Sequence, residues 1–214
     1  MLTIMKRLYI LFTVFISYLS VSAQSIKETF DSNSLNWNEC ASESNAGKSV
    51  IDKGVLTITS KGANKFWSAM VGEQVGKYTH FTCFCYAPLN ILKPFTINTN
   101  VTIGVLDDDK FVGLIFNYKD NGNFYAFVFS DDQVVFLRYF ENRLIGDIHQ
   151  SVKWSKKRKA QQSWRLESEG SLLSFFVDDM LIMKVRYMPL EYAGFGFYTF
   201  GNQKLIVDDV EFIQ

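Results

Sequence analysis

Side chains that ligate metals or activate nucleophiles are scarce in this chain. Its 214 residues include two histidines, His80 and His149, and three cysteines, Cys40, Cys83 and Cys85. Neither histidine has a recognisable catalytic setting, and so few scattered ligands do not make a metal site. No glycine-rich phosphate loop occurs. Basic and acidic residues balance at 22 each, which removes the charge excess of a general nucleic-acid binder. There is no repeat, low-complexity tract or Pro-Gly-Ser linker, so no internal domain boundary is expected.

Long apolar runs are confined to the N-terminus. Lys6-Arg7 precedes an apolar run from Leu8 to Leu19, and Val21-Ser22-Ala23 places small residues where a signal peptidase reads. Residues 1–23 are therefore expected to be a signal peptide cleaved before Gln24. The run falls short of the roughly 20 apolar residues of a membrane span, and no cysteine at the cleavage point offers a lipid anchor. The expected product is one domain over 24–214, exported to the periplasm or medium, without stable membrane insertion. It carries 20 basic and 22 acidic residues once Lys6 and Arg7 are removed. All three cysteines would meet an oxidising compartment, where at most one intrachain disulfide can form. In a strand from Phe81 to Tyr86, Cys83 and Cys85 share a face, which makes a mutual bridge awkward and favours small buried side chains.

Against these absences stand twenty Phe and ten Tyr with only three Pro. Phe, Tyr, Val and Ile suit a pleated, half-buried surface, and no long run repeats at helical spacing after the leader. The segment GLIFNYKDNGNFYAFVF, 113–129, sets two such runs around Asp120-Asn121-Gly122-Asn123, a hairpin signal. Residues 50–58 read as strand, turn, strand, with Gly54 permitting the turn. Further strands are expected at 66–71, 78–86, 97–106, 111–118, 124–130, 133–140, 163–168, 172–178, 181–187, 194–200 and 204–213. About a dozen short strands predict an all-β, two-sheet antiparallel jelly-roll sandwich.

Alternation assigns faces. Tyr125, Phe127 and Phe129 form one row; Phe124, Ala126 and Val128 form another. Both are apolar, so this strand is expected to be central and covered on both sides, or to line a sheltered groove. Leu173, Phe175 and Val177 share a face. Leu205 and Val207 keep one parity while Val210 and Phe212 keep the other, which predicts a bulge at Asp208-Asp209.

The order Trp37, "dkGvLti" at 52–58, "GLIFNYKDNGNFYAF", "FLRY", "WRLESEGSLLSFFVDD", "GFGFYTF" and "VDDVEF" resembles the concanavalin A-like lectin/glucanase superfamily. More narrowly it is similar to laminin-G-like jelly-roll modules of exported bacterial proteins, including the keto-disaccharide hydrolase-like group. The resemblance spans roughly 28–213. It implies two curved sheets, a concave face that often receives glycan, and in some members an edge-bound calcium; it does not imply catalysis.

Glycosidases of that superfamily carry a Glu-x-Asp-x-Glu strand, because retention needs two carboxyl groups roughly 5 to 5.5 Å apart. No such strand occurs here. Glu167-Ser168-Glu169 approaches it but runs into Gly170 and reads as a turn. Asp178-Asp179 and Asp208-Asp209 are assigned to turn or bulge duty, because neighbours in a strand face opposite ways. Asp107-Asp108-Asp109 and Asp120–Asn123 offer oxygens to calcium but complete no binding motif, so they read as turns and no cofactor is assigned. Lys153-Trp154-Ser155-Lys156-Lys157-Arg158-Lys159 either grips an acidic polysaccharide or, as the preferred reading, is a solvated connection. For neutral glycan, parity places Asn117, Phe124, Phe136 and Arg138 on the non-core side, with Trp67 and Tyr198 as looser additions. The resulting expectation is a non-catalytic, lectin-like module binding polysaccharide or glycan. Its alternatives are a glycoside hydrolase and, from the apolar row of Phe124, Ala126 and Val128, an envelope protein-interaction module.

Overall fold

The computed structural model describes residues 24–38, 47–61, 80–104, 110–152 and 161–214. Among them the chain forms fourteen strands and no helix. The first seven are β1 (Ser25–Glu28), β2 (Gly47–Asp52), β3 (Val55–Ser60), β4 (Phe81–Tyr86), β5 (Phe95–Ile103), β6 (Phe111–Asp120) and β7 (Asn123–Phe129). The rest are β8 (Gln133–Phe140), β9 (Arg143–Ser151), β10 (Gln161–Glu169), β11 (Leu172–Val177), β12 (Met180–Arg186), β13 (Gly194–Phe200) and β14 (Gln203–Ile213). One sheet has the order β12-β11-β10-β5-β14-β3-β2, with β1 also on β14; the other runs β4-β13-β6-β7-β8-β9. Every pairing is antiparallel.

Alternation builds the core between the sheets. Tyr125, Phe127 and Phe129 from β7 meet Trp164, Phe175 and Val177 from the eight-stranded sheet, and Phe127 stacks on Phe175 with ring centroids 5.3 Å apart. Trp37 is buried beside this core and stacks on Phe197 at 5.6 Å. The bulge expected at Asp208-Asp209 is present. The β14–β5 register shifts between Val207 and Asp209, and Leu205, Val207, Val210 and Phe212 all become buried.

The same rule fills the opposite face of the six-stranded sheet. Phe124, Ala126 and Val128 join Phe111, Ile115, Val135, Leu137, Tyr139 and Tyr198 in a second buried cluster, so the sheet is covered on both sides. The motif Gly194-Phe195-Gly196-Phe197 shows the logic compactly: both Phe rings enter the core, leaving the two glycines on the outer face. A Cβ on Gly196 would lie 2.1 Å from the Cys83 carbonyl and 2.6 Å from the Phe84 Cα, so only glycine permits this approach of β13 to β4.

The outer face of the eight-stranded sheet is polar. Glu211 accepts from Ser25 at 2.7 Å and Asn98 at 3.2 Å, and these bonds hold its carboxyl below the usual range. Lys27 meets Asp209 at 2.9 Å. Arg165 lies over the Phe176 ring at 4.3 Å and bridges to Asp179.

Two strands escaped the sequence reading. β1 is four residues long, and β9 (RLIGDIHQS) is an exposed edge with little apolar alternation to reveal it. Glu167-Ser168-Glu169, expected in a turn, instead completes β10, and the turn lies at Gly170-Ser171. The expected strand at 66–71, Cys40, Asp107–Asp109 and the basic stretch at 153–159 lie wholly or partly outside the described residues.

Candidate functional site

The outer face of the six-stranded sheet has a closed centre and two polar margins. At the centre, Phe124 and Tyr139 stack with centroids 4.7 Å apart, and His80 stacks on Tyr198 at 5.2 Å and 17°. Phe124 and Tyr198 are 0% and 2% exposed. Burial drives the His80 imidazole down to about 4 and pushes the Tyr198 phenol well above its ordinary value, because neither charged form is solvated there.

Toward β4 the face opens. Thr82, Phe84 and Tyr86 alternate with the buried Cys83 and Cys85, so their side chains lie on the outer side; Tyr86 is 66% exposed. Gly194 pairs with both Tyr86 and Tyr118, and Gly196 pairs with Phe84. With no side chains on these glycines, Phe84 leans across to Tyr118, centroid to centroid 4.3 Å, and meets Tyr86 edge-on at 6.1 Å. The result is an aromatic strip beside the 120–123 turn, exposed at Tyr86, half-buried at Phe84 and buried at Tyr118. Asn121 accepts from the Tyr118 hydroxyl at 2.9 Å and from Thr82 at 3.3 Å on its side-chain oxygen, leaving its amide NH2 as an exposed donor. Asp120 accepts from the Gly122 N–H at 2.9 Å and from Asn123 at 2.8 Å; the Asn123 bond chiefly lowers its carboxyl below the ordinary range. Those bonds account for the Asp120–Asn123 cluster as a turn.

At the other margin, β9 aligns His149 between Asp147 and Gln133, with ring nitrogens 2.5 Å from the carboxylate and 3.3 Å from the amide oxygen. Elsewhere, Glu167 and Glu169 occupy alternate positions of β10 and line a cleft of about 360 Å³ with Pro94, Thr96 and Gln214. Arg165 holds Glu167 at 2.9 Å. No group of three or more metal-ligating side chains occurs among the described residues.

The structure redistributes the residues expected to contact glycan. Phe124 and Tyr198 lie on the outer face as expected, but in its closed centre. Phe136 belongs to the inter-sheet core, tilted against Phe127 with centroids 4.9 Å apart; the expected parity is reversed because it pairs directly with Phe127 across β7 and β8. Arg138 pairs with Tyr125 and therefore shares that inner side, lying against Gly146 of β9. Asn117 is a bulge residue with φ of 47°. Its side-chain amide donates to the Tyr192 carbonyl at 3.1 Å and its oxygen accepts from the Leu190 N–H at 3.5 Å, so it pins the loop before β13. Trp67 lies outside the described residues. Phe84, Tyr86, Tyr118 and Asn121 were not singled out from the sequence. The parity of Cys83 and Cys85 carried the signal for two of them, because it assigns Phe84 and Tyr86 to the opposite face.

Two antiparallel sheets in this strand order have the concanavalin A-like jelly-roll fold. No family model matches the chain, and no curated protein does. Solved structures of the same fold include the catalytic domain of an endo-1,3-beta-glucanase (laminarinase) from Thermotoga petrophila, with TM-score 0.59 and 10% identity, covering 90% of this chain and 98% of that one. The Emp47p carbohydrate recognition domain aligns with TM-score 0.58 and 9% identity over 90% of this chain and 97% of its own. A Bacillus licheniformis beta-glucanase gives 0.57 and 9%, over 89% and 98%. At these identities the likeness establishes the fold.

Proposed function

We propose that the protein is an exported carbohydrate-binding module that takes a neutral glycan along the β4 margin of its six-stranded sheet. The observation carrying this reading is the strip of Phe84, Tyr86 and Tyr118 beside the exposed amide of Asn121. Sugar recognition needs an accessible aromatic ring and a few fixed polar groups; this margin offers exposed Tyr86, with Phe84 half-buried and Tyr118 buried behind it, and the Asn121 amide. The fold supports it, since structures named as a carbohydrate recognition domain and as glucanases share it. Export rests on the leader pattern of residues 1–23.

Calorimetric titration against a panel of neutral and acidic polysaccharides tests the proposal. Tyr86→Ala is expected to weaken binding at least tenfold, about 1.4 kcal/mol. Because the partner is uncharged, wild-type affinity is expected to stay constant as ionic strength rises. Silence across the panel, or a Tyr86→Ala protein that binds as the parent does, sinks the reading. Binding only to acidic polymers, weakened by salt, moves the site to the basic stretch at 153–159.

Glu167 and Glu169, on one face of β10 and lining one cleft, favour a hydrolase as the second reading. Release of reducing sugar, abolished by Glu167→Gln or Glu169→Gln, is the outcome that selects it.

A further inference from the structure

We propose that Arg138 is a binding site for an organic carboxylate, whose two oxygens accept from the guanidinium fork at the flank of the sandwich where β8 and β9 face β12. The inference does not rest on the glycan reading, because the β4 margin lies at the opposite edge of the six-stranded sheet.

Alternation sets the arginine in the row of Phe136, on the inner side of β8, where it pairs with Tyr125 of β7 and Gly146 of β9. Gly146 fixes its place. A Cβ there would lie 2.1 Å from Nη2, 2.7 Å from Cζ and 2.9 Å from Nε, so the guanidinium rests directly on the glycine backbone. Toward β7, the Tyr125 hydroxyl donates to the Met188 carbonyl at 2.8 Å, and the Arg138 charge opposes the upward shift that burial gives this phenol.

Within this setting the charge has no internal partner. Among the described residues Arg138 makes no hydrogen bond and no ion pair; Nε is sealed from solvent, while the two Nη groups are not. Strands β7, β8 and β12 contain no carboxylate, and the one on β9, Asp147, pairs with Leu137 on the outer face, where it meets His149. β12 packs across β8 and adds Lys184 and Arg186, both exposed, so the charge of this flank is positive. A half-buried cation without a counter-charge is costly, and a fork of two Nη donors matches a carboxylate in geometry as well as in sign. The surroundings choose the kind of anion. Ile148 shares the inner side through its pairing with Phe136, Phe140 follows Arg138 at the next alternate position, and both are exposed, as is Met188. An apolar rim around a cation suits a carboxylate borne on a ring, as in a uronic acid or an aromatic acid, better than a small hydrated anion.

NMR titration of the isotope-labelled full chain with glucuronate, glucose, benzoate and benzyl alcohol tests the site. A carboxylate is expected to bind about tenfold or more tightly than its neutral counterpart and to shift the Gly146 amide resonance. Glucuronate alone marks an acidic sugar as the ligand; benzoate alone marks an aromatic acid. Arg138→Gln is expected to weaken that binding by about tenfold or more. Gly146→Ala keeps the arginine but displaces its guanidinium, and is expected to weaken binding likewise in a protein that melts near the parent, so the site is testable even where Arg138→Gln fails to fold. No carboxylate response in the wild type, equal binding of glucuronate and glucose, or unaltered binding in the two variants overturns the proposal. Tyr86→Ala is expected to leave carboxylate binding unchanged and Arg138→Gln to leave neutral-glycan binding unchanged, so failure of either site is distinguishable from failure of the other.

Discussion

His80 illustrates how one side chain couples burial to solution conditions. Its imidazole stacks on Tyr198 and faces Phe124 and Tyr139, and desolvation brings it from 6.5 to about 4. The folded value lies below the unfolded one, so the unfolded chain binds the extra proton first as pH falls. Stability attached to the neutral ring is present above 6.5, erodes below it, and is exhausted near 4; the span corresponds to about 3 kcal/mol. Urea denaturation of wild type and His80→Phe across pH 4 to 7 checks this. The two curves are expected to diverge as pH falls, with the wild type losing more; parallel curves would contradict the desolvated histidine. Asn117 makes a different point at the same scale. Its amide looked available for a ligand, yet a left-handed backbone and two hydrogen bonds commit it to the loop at 190–192.

At the level of elements, turns decide which strands pair. Lys53-Gly54, Glu141-Asn142 and Asp178-Asp179 each form a two-residue loop with positive φ at both positions, the type I′ geometry that matches strand twist. Only the first contains the glycine that announces such a turn, which is why β9, entered through Glu141-Asn142, was missed. In contrast, Asn121-Gly122 looked like the same device, but Gly122 is not at positive φ. A Cβ there would crowd the Asn142 side chain at 2.4 Å and its N–H at 2.8 Å, so glycine serves close approach at that hairpin. Lys53→Asn is expected to stabilise the fold by a few tenths to about 1 kcal/mol, because asparagine tolerates the left-handed conformation better than lysine. Gly54→Ala, at φ of 75° and 3.3 Å from Asp31, is expected to destabilise by about 1 kcal/mol or more. Midpoints from thermal melts check both signs.

For the whole molecule, stability rests on aromatic burial between the sheets. Phe127 touches Phe116 and Phe136 within its own sheet and Phe175 across the core. Phe127→Ala is expected to cost about 3–5 kcal/mol, by lost transfer energy plus an unfilled cavity, read as a lower urea midpoint with an unchanged slope. Cys83 and Cys85 are buried in this same core, and burial raises the Cys85 thiol, as packing duty requires.

Period-two alternation and β-rich composition determined most of the architecture, because each strand's two faces are fixed by parity alone. That rule identified the Tyr125, Phe127 and Phe129 row, the doubly apolar β7 and the bulge that brings Leu205, Val207, Val210 and Phe212 inward. It could not say which face of each strand was which once a pairing partner was unknown. Phe136 and Arg138 were consequently assigned to the wrong side, since their register against Phe127 and Tyr125 exists only in the assembled sheet. Nor does parity report access to water. Tertiary packing alone closed the face over Phe124 and Tyr198, left Tyr86 exposed, and brought Asn121 beside Tyr118, because exposure depends on what neighbouring strands and turns cover.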